Sequence, residues 1–277
     1  MRKILISLTI IGVVSAIVIG ATRAYFSDTE TSTGNTFSAG SLDLKINNSS
    51  YLYSNGVITQ SPQTSWYEAR DLTNELFFNF YDLKPGDGGE DTISIHLTGN
   101  DAWLCMKFEI TQADDVSCSE PESEVDETCG QGKAGELQND LEFVFWVDDG
   151  DNVLETNEVG SIFLGPASLA NIAGSYIPLA DSQESVFENY DLVGSEGQLL
   201  PDRTYSLGKA WCFGKLRADG TTAASVGNGN PVQRGTMGVK CDGSSLGNAS
   251  QSDQVKGKLS FVAVQFRNNL NFRCSDL

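Results

Sequence analysis

Histidine is almost absent from this chain: His96 is the one imidazole in 277 residues. A Ser-His-Asp triad or a zinc peptidase would have to be built on that ring, and no His-Glu-x-x-His run occurs. Basic side chains are also scarce, 18 Lys and Arg against 37 Asp and Glu, for a formal net charge of −19. So acidic a chain lacks the cationic face needed to bind nucleic acid, or an anionic membrane surface by charge. No Cys-x-x-Cys pair is present, which removes the usual signature of a zinc ribbon or a redox centre. Beyond residue 22 there is no long apolar run.

What is there begins at the first residues. Arg2 and Lys3 lead into an uncharged apolar run over 4–22, followed by Arg23 and the small residue Ala24. A basic start, an apolar stretch and a small residue at its end predict a signal peptide over 1–24, cut between Ala24 and Tyr25 by a signal peptidase. The run is close to the roughly 20 residues a spanning helix needs, so a retained anchor is the alternative. Ser7, Thr9, Gly12, Ser15 and Gly20 dilute it. Cleavage predicts a secreted protein, extracellular or at the cell surface, with no membrane attachment afterwards. Residues 25–40 would then form a polar N-terminal arm carrying Phe26 and Phe37, ahead of one domain over 41–277.

Two patches carry a family likeness. The first is Tyr25-Phe26-Ser27-Asp28-Thr29-Glu30 with Thr36-Phe37-Ser38-Ala39-Gly40-Ser41-Leu42-Asp43-Leu44; the second is Asp82-Leu83-Lys84-Pro85-Gly86-Asp87 with the alternating residues 92–97. Together they resemble the start of TasA- and camelysin-type proteins, which are exported through a SipW-type signal peptidase. The second patch alone is ordinary turn chemistry before a strand. The resemblance implies a jelly-roll sandwich and a fibre subunit whose partners are copies of itself. Through the camelysin name it also carries a metalloendopeptidase reading. Members of that family are often poor in cysteine, and this chain departs from them there.

Period-2 alternation broken by Gly, Asn, Asp and Pro predicts an all-β fold, a two-sheet antiparallel sandwich of jelly-roll type with long loop insertions. Strands are expected over 41–46, 76–83, 91–97, 103–111, 142–147, 185–192, 204–212 and 258–267, with a short helix near 168–173. The insertions fall at 113–139, which is acidic, and at 214–253, which is Gly-rich. Six cysteines in an exported chain predict disulfides. Cys118 with Cys129 would close the acidic loop and Cys212 with Cys241 the Gly-rich one. Cys105 and Cys274 are the remaining candidates, among 15 possible pairings.

The sharpest local motif runs from Trp146 to Glu158, with Asp148, Asp149, Asp151, Glu155 and Glu158 around Gly150. An EF-hand register fails on it. A different calcium loop using Asp149, Asp151, Glu155 and Glu158 is one reading, with Ca²⁺ as the cofactor. A hairpin turn whose side chains bond their own backbone is the other. Trp66, Tyr67, Tyr51, Tyr53 and Phe26 suggest either a carbohydrate-stacking surface or packed strand aromatics. Taken together, the sequence reads as a non-enzymatic filament or biofilm-matrix subunit that assembles by donor-strand exchange of its N-terminal arm. The alternatives are a monomeric calcium-stabilised surface module and a secreted metalloendopeptidase.

Overall fold

The fold is described here from a computed structural model over residues 41–222 and 229–277. The signal segment 1–24, the Ala24/Tyr25 cleavage point, the arm 25–40 and residues 223–228 lie outside the described residues. Gly40–Leu277 is a compact unit. Its strands are β1 (Leu42–Ser54), β2 (Val57–Gln60), β3 (Trp66–Arg70), β4 (Gly88–Gly99), β5 (Ala102–Asp115), β6 (Leu141–Val147), β7 (Ile162–Ser168), β8 (Tyr176–Ala180), β9 (Arg203–Phe213), β10 (Lys215–Arg217), β11 (Lys240–Asp242) and β12 (Asp253–Gln265). Among the described residues four single-turn helices join them: α1 (Glu120–Ser123), α2 (Leu137–Asp140), α3 (Leu169–Ile172) and α4 (Pro231–Arg234).

The larger sheet runs β2-β1-β4-β9-β6-β7, with β3 also on β1; the smaller runs β12-β5-β8, and every strand pair is antiparallel. The chain is an all-β sandwich. Its core order among the described residues, β4-β9-β6-β7 facing β12-β5-β8, follows that of a jelly roll. Alternation along β4 produces this layering. Ile93, Ile95 and Leu97 point into the sandwich and are buried, while His96 on the other face is half-buried. The core between the sheets gathers Trp103, Leu104, Met106, Phe108, Phe143, Phe145, Tyr205, Leu207 and Trp211.

One buried ion pair interrupts that apolar layer. Lys209 Nζ lies 2.6 Å from Asp91 Oδ2, both side chains fully buried. Asn48 donates to Asp91 Oδ1 at 2.9 Å, and the Phe78 ring lies 3.9 Å beneath the ammonium. Burial in this apolar setting pulls the Lys209 ammonium below its usual range, and Asp91 partly opposes that.

The outer face of the large sheet is not left to water. Val144, Trp146, Ala210 and Cys212 on β6 and β9 are capped by Leu154 and Leu216, forming a second small core. The Gly-rich insertion supplies much of that cover through Leu216, Ala218, Val239 and Cys241, on and beside β10 and β11. Three disulfides fix the periphery: Cys212–Cys241 joins β9 to β11, Cys118–Cys129 closes the acidic loop, and Cys105–Cys274 ties the C-terminal residues to β5.

Two expected strands are absent from the fold. Residues 76–83 form no ladder. Phe77 and Phe78 are consecutive, yet both pack inward, Phe77 on Trp66 and Phe78 on Phe143, which a pleated strand forbids. Residues 185–192 wrap the buried Phe187 and turn through a 3₁₀ segment, Glu188–Tyr190, into Asp191 at φ 53°. Four further strands, β2, β3, β7 and β8, complete the sheets. The Lys84-Pro85-Gly86-Asp87 patch forms the turn into β4, closed by Asp87 N to Lys84 O at 2.8 Å.

Candidate functional site

The acidic turn follows β6 directly, at the edge of the small outer core. Gly150 and Asn152 take the left-handed conformation, φ 107° and 67°, which folds the turn back on itself. Asp148 accepts from the Thr92 hydroxyl at 2.7 Å and from Gly150 N at 3.0 Å. Asp151 accepts from Val153 N at 2.9 Å. Glu158 reaches back across the turn to Asp149 N and Glu155 N, each at 3.0 Å. These are the bonds of a self-supporting turn. They coexist with something a bare turn does not need, a convergence of carboxylates.

Asp149, Asp151 and Glu155 bring one carboxylate oxygen each within 4.8 Å of one another, and so do Asp148, Asp149 and Glu158. The four residues expected from sequence are thus brought together, Asp149 linking both triads. Arg234, from α4, bonds Asp151 at 3.0 Å and also Glu155, so part of the charge is neutralised by the protein itself. Glu90 lies beneath them on β4, fully buried, with neither carboxylate oxygen hydrogen-bonded among the described residues. Burial raises its pKa, reinforced by Asp148 and Asp151. Desolvation lifts Asp148 to about 7 and Glu158 to about 9, and it lifts Asp151 to about 6 with help from Glu155. Sequence reasoning missed Glu90 and Arg234 because each is far from the turn along the chain. Only the β4–β9–β6 pairing brings Glu90 under it.

His96 stands apart from this chemistry. Its Nε2 meets Asn47 Oδ1 at 2.8 Å and its Nδ1 meets the Thr204 hydroxyl at 3.1 Å. Burial lowers its pKa, and no carboxylate group of metal-ligand geometry among the described residues includes it. The aromatic candidates divide. Trp66 and Tyr51 are buried, with Trp66 Nε1 donating to Ile46 O at 2.9 Å, whereas Tyr67 is exposed and its hydroxyl accepts from Gln60.

A second feature lies at the opposite border of the sandwich. Among the described residues β12 pairs with β5 alone, so one edge of a 13-residue strand has no ladder partner there. Across from it, the first residues of β1 pair only with β4. Between the two runs a groove of about 470 Å³, lined by Leu42, Leu44, Ile46, Leu72, Phe261 and Ala263.

Among the described residues no helix is long and apolar enough to cross a membrane. No curated protein matches the chain. Residues 2–57 match a family model described as camelysin metallo-endopeptidase, a stretch that holds the apolar run, the opening motif and all of β1. Over that segment the chain is similar to the camelysin-type family, the one its opening motif resembles.

Proposed function

We propose that this chain is an exported structural subunit of an extracellular filament or biofilm-matrix fibre. In it, the N-terminal arm of one copy adds as a strand to the β12 edge of the next. The observation that carries this reading is the groove between β1 and β12, lined by Leu42, Leu44, Phe261 and Ala263 beside Arg70 and Asp71, and bordered by a β12 edge with no ladder partner among the described residues. An extended peptide gains affinity from such an edge through main-chain hydrogen bonds and specificity through alternate side chains. Sixteen residues lie between Tyr25 and Gly40, about 53 Å when extended, enough to run the length of β12. Phe26 and Phe37 are the arm's large apolar anchors. Head-to-tail contacts that do not close a ring propagate a fibre.

The test is negative-stain microscopy of the chain beginning at Tyr25, beside its Phe26→Asp/Phe37→Asp variant. Filaments from the first and dispersed particles from the second are expected. Monomers from both at high concentration would sink the reading.

Two other readings each have an observation behind them. A monomeric calcium-stabilised surface module is favoured by Glu90, buried beneath the acidic turn with neither oxygen hydrogen-bonded among the described residues, and calcium-dependent melting without polymers would mark it. A peptidase is favoured by the description of the matched family. It demands chelator-sensitive cleavage of casein that disappears in His96→Ala.

A further inference from the structure

The structure assigns a second divalent-cation site, formed by Asp115, Glu122, Asp126, Glu136 and Asp253, at the base of the disulfide-closed loop. It is independent of the turn after β6 and of the filament reading. Asp115 ends β5 and Asp253 begins β12, and the two are direct cross-strand partners. Like charges in that position repel. Glu122 comes from α1, while Asp126 and Glu136 come from the loop that Cys118–Cys129 closes and its exit.

The division of labour among their oxygens points to a ligand. Glu122 Oε2 is held by Ser119 N at 3.1 Å and the Ser252 hydroxyl at 2.7 Å, leaving Oε1 unpaired. Asp126 Oδ1 accepts from Thr128 N and its hydroxyl, each at 2.8 Å, leaving Oδ2. Asp253 Oδ2 accepts from Glu136 N at 2.5 Å and Leu137 N at 3.0 Å, leaving Oδ1. Glu136 keeps Oε2 free, and Asp115 keeps both oxygens free. Asp115 is only 5% exposed and Glu122 0%. None of the ion pairs among the described residues involves any of the five.

A carboxylate with one oxygen anchored by the protein and the other unpaired in a dry site is oriented for a cation. Two triads that share Asp115, Asp115-Asp126-Glu136 and Asp115-Glu122-Asp253, each bring one carboxylate oxygen per residue within 4.8 Å of one another. Ligands on opposite sides of a calcium ion lie about 4.6 to 5.2 Å apart, given bonds of about 2.3 to 2.6 Å. The unpaired oxygens of the five residues number six, and each triad contributes three carboxylate ligands toward the about six to eight that calcium takes. Magnesium, which keeps several waters, suits an all-protein cage of this kind less well. Cys118 and Cys129 also border Glu122, but their sulfurs are consumed in the disulfide, so the donors are hard oxygens.

The test uses the full chain with its disulfides intact, stripped with EDTA and titrated calorimetrically with CaCl₂ or MgCl₂. Calcium binding at least tenfold tighter than magnesium is expected, with a rise in melting temperature. Asp115→Asn/Asp253→Asn should lose one calcium equivalent per chain. Without calcium it should melt no lower than the wild type, because the repulsion is gone. Glu158→Gln, in the other cluster, should leave this equivalent in place. If the double variant fails to fold, Glu136→Gln serves, with calcium affinity weakened at least tenfold. A wild type that takes up no calcium would overturn the assignment, as would uptake abolished by Glu158→Gln alone or unchanged in Glu136→Gln.

Discussion

Lys209 is the residue on which the interior is most exposed to error. Its ammonium has Asp91 as its counter-ion and sits among aromatic rings. Replacing it with methionine would strand a buried carboxylate, at a cost of about 3–5 kcal/mol in denaturant unfolding. The double change Lys209→Met/Asp91→Leu should recover most of that loss. If the single variant matches the wild type, the pair is not buried as described. The acidic turn makes a second prediction at this scale, in chelator. Asp148, at about 7, and Glu158, at about 9, hold protons in the folded state that they release when unfolded. The folded protein binds more protons, so stability is fullest near pH 4 and falls as pH rises through about 7 to 9. A melting temperature that climbs over this range would contradict it, and Asp148→Asn should flatten the lower part of the slope. Of this chemistry, sequence disclosed the carboxylates crowded on one turn. Glu90, Arg234 and the pairing of Asp115 with Asp253 could not be read, because strand register brings them together from distant parts of the chain.

Among the elements, strands with clean alternation were legible and irregular apolar segments were not. β4, β5, β6, β9 and β12 stand over the expected segments: β4, β5 and β9 run past them at both ends, β9 by one residue at each, β6 adds only Leu141, and β12 begins five residues early and ends two short. The 76–83 segment carries the same composition, but its phenylalanines face one way and plug the core without joining a sheet. Phe77→Ala is therefore expected to cost about 3–5 kcal/mol, a core-sized loss from a residue in no strand, measured by chemical denaturation. A loss under about 1 kcal/mol would mean the segment merely covers the sandwich. β7 and β8 contain Pro166 and Pro178, which read as breakers; both strands lie at sheet borders, where proline is tolerated. The signal for β2 was present in Asn55-Gly56, both at positive φ, a two-residue turn between Tyr-rich and Val-Ile runs.

For the whole molecule, composition and spacing sufficed for a disulfide-bonded all-β sandwich, because strand period and cysteine spacing are local properties. Which edge stays open is a property of the complete topology, and no local pattern announces it. If the β12 edge accepts the arm of another copy, an excess of a peptide spanning residues 25–40 should cap growing ends and shorten filaments. A scrambled peptide should leave their length unchanged, and equal lengths with both would place the joint elsewhere.

The bond between Cys105 and Cys274 has a mechanical meaning in such a fibre. Residues 266–274 run on from β12, and the disulfide returns them to β5, the strand on which β12 lies. The disulfide closes a covalent loop over 105–274, which leaves the tail that follows β12 anchored on β5 itself. A pull transmitted from a neighbour into β12 loads a closed hoop instead of a free end, so β12 cannot be peeled from β5 starting at its C-terminus. Under tension, rupture would fall first on the non-covalent seam between copies, and a subunit released from a stretched fibre would come away folded and able to rejoin.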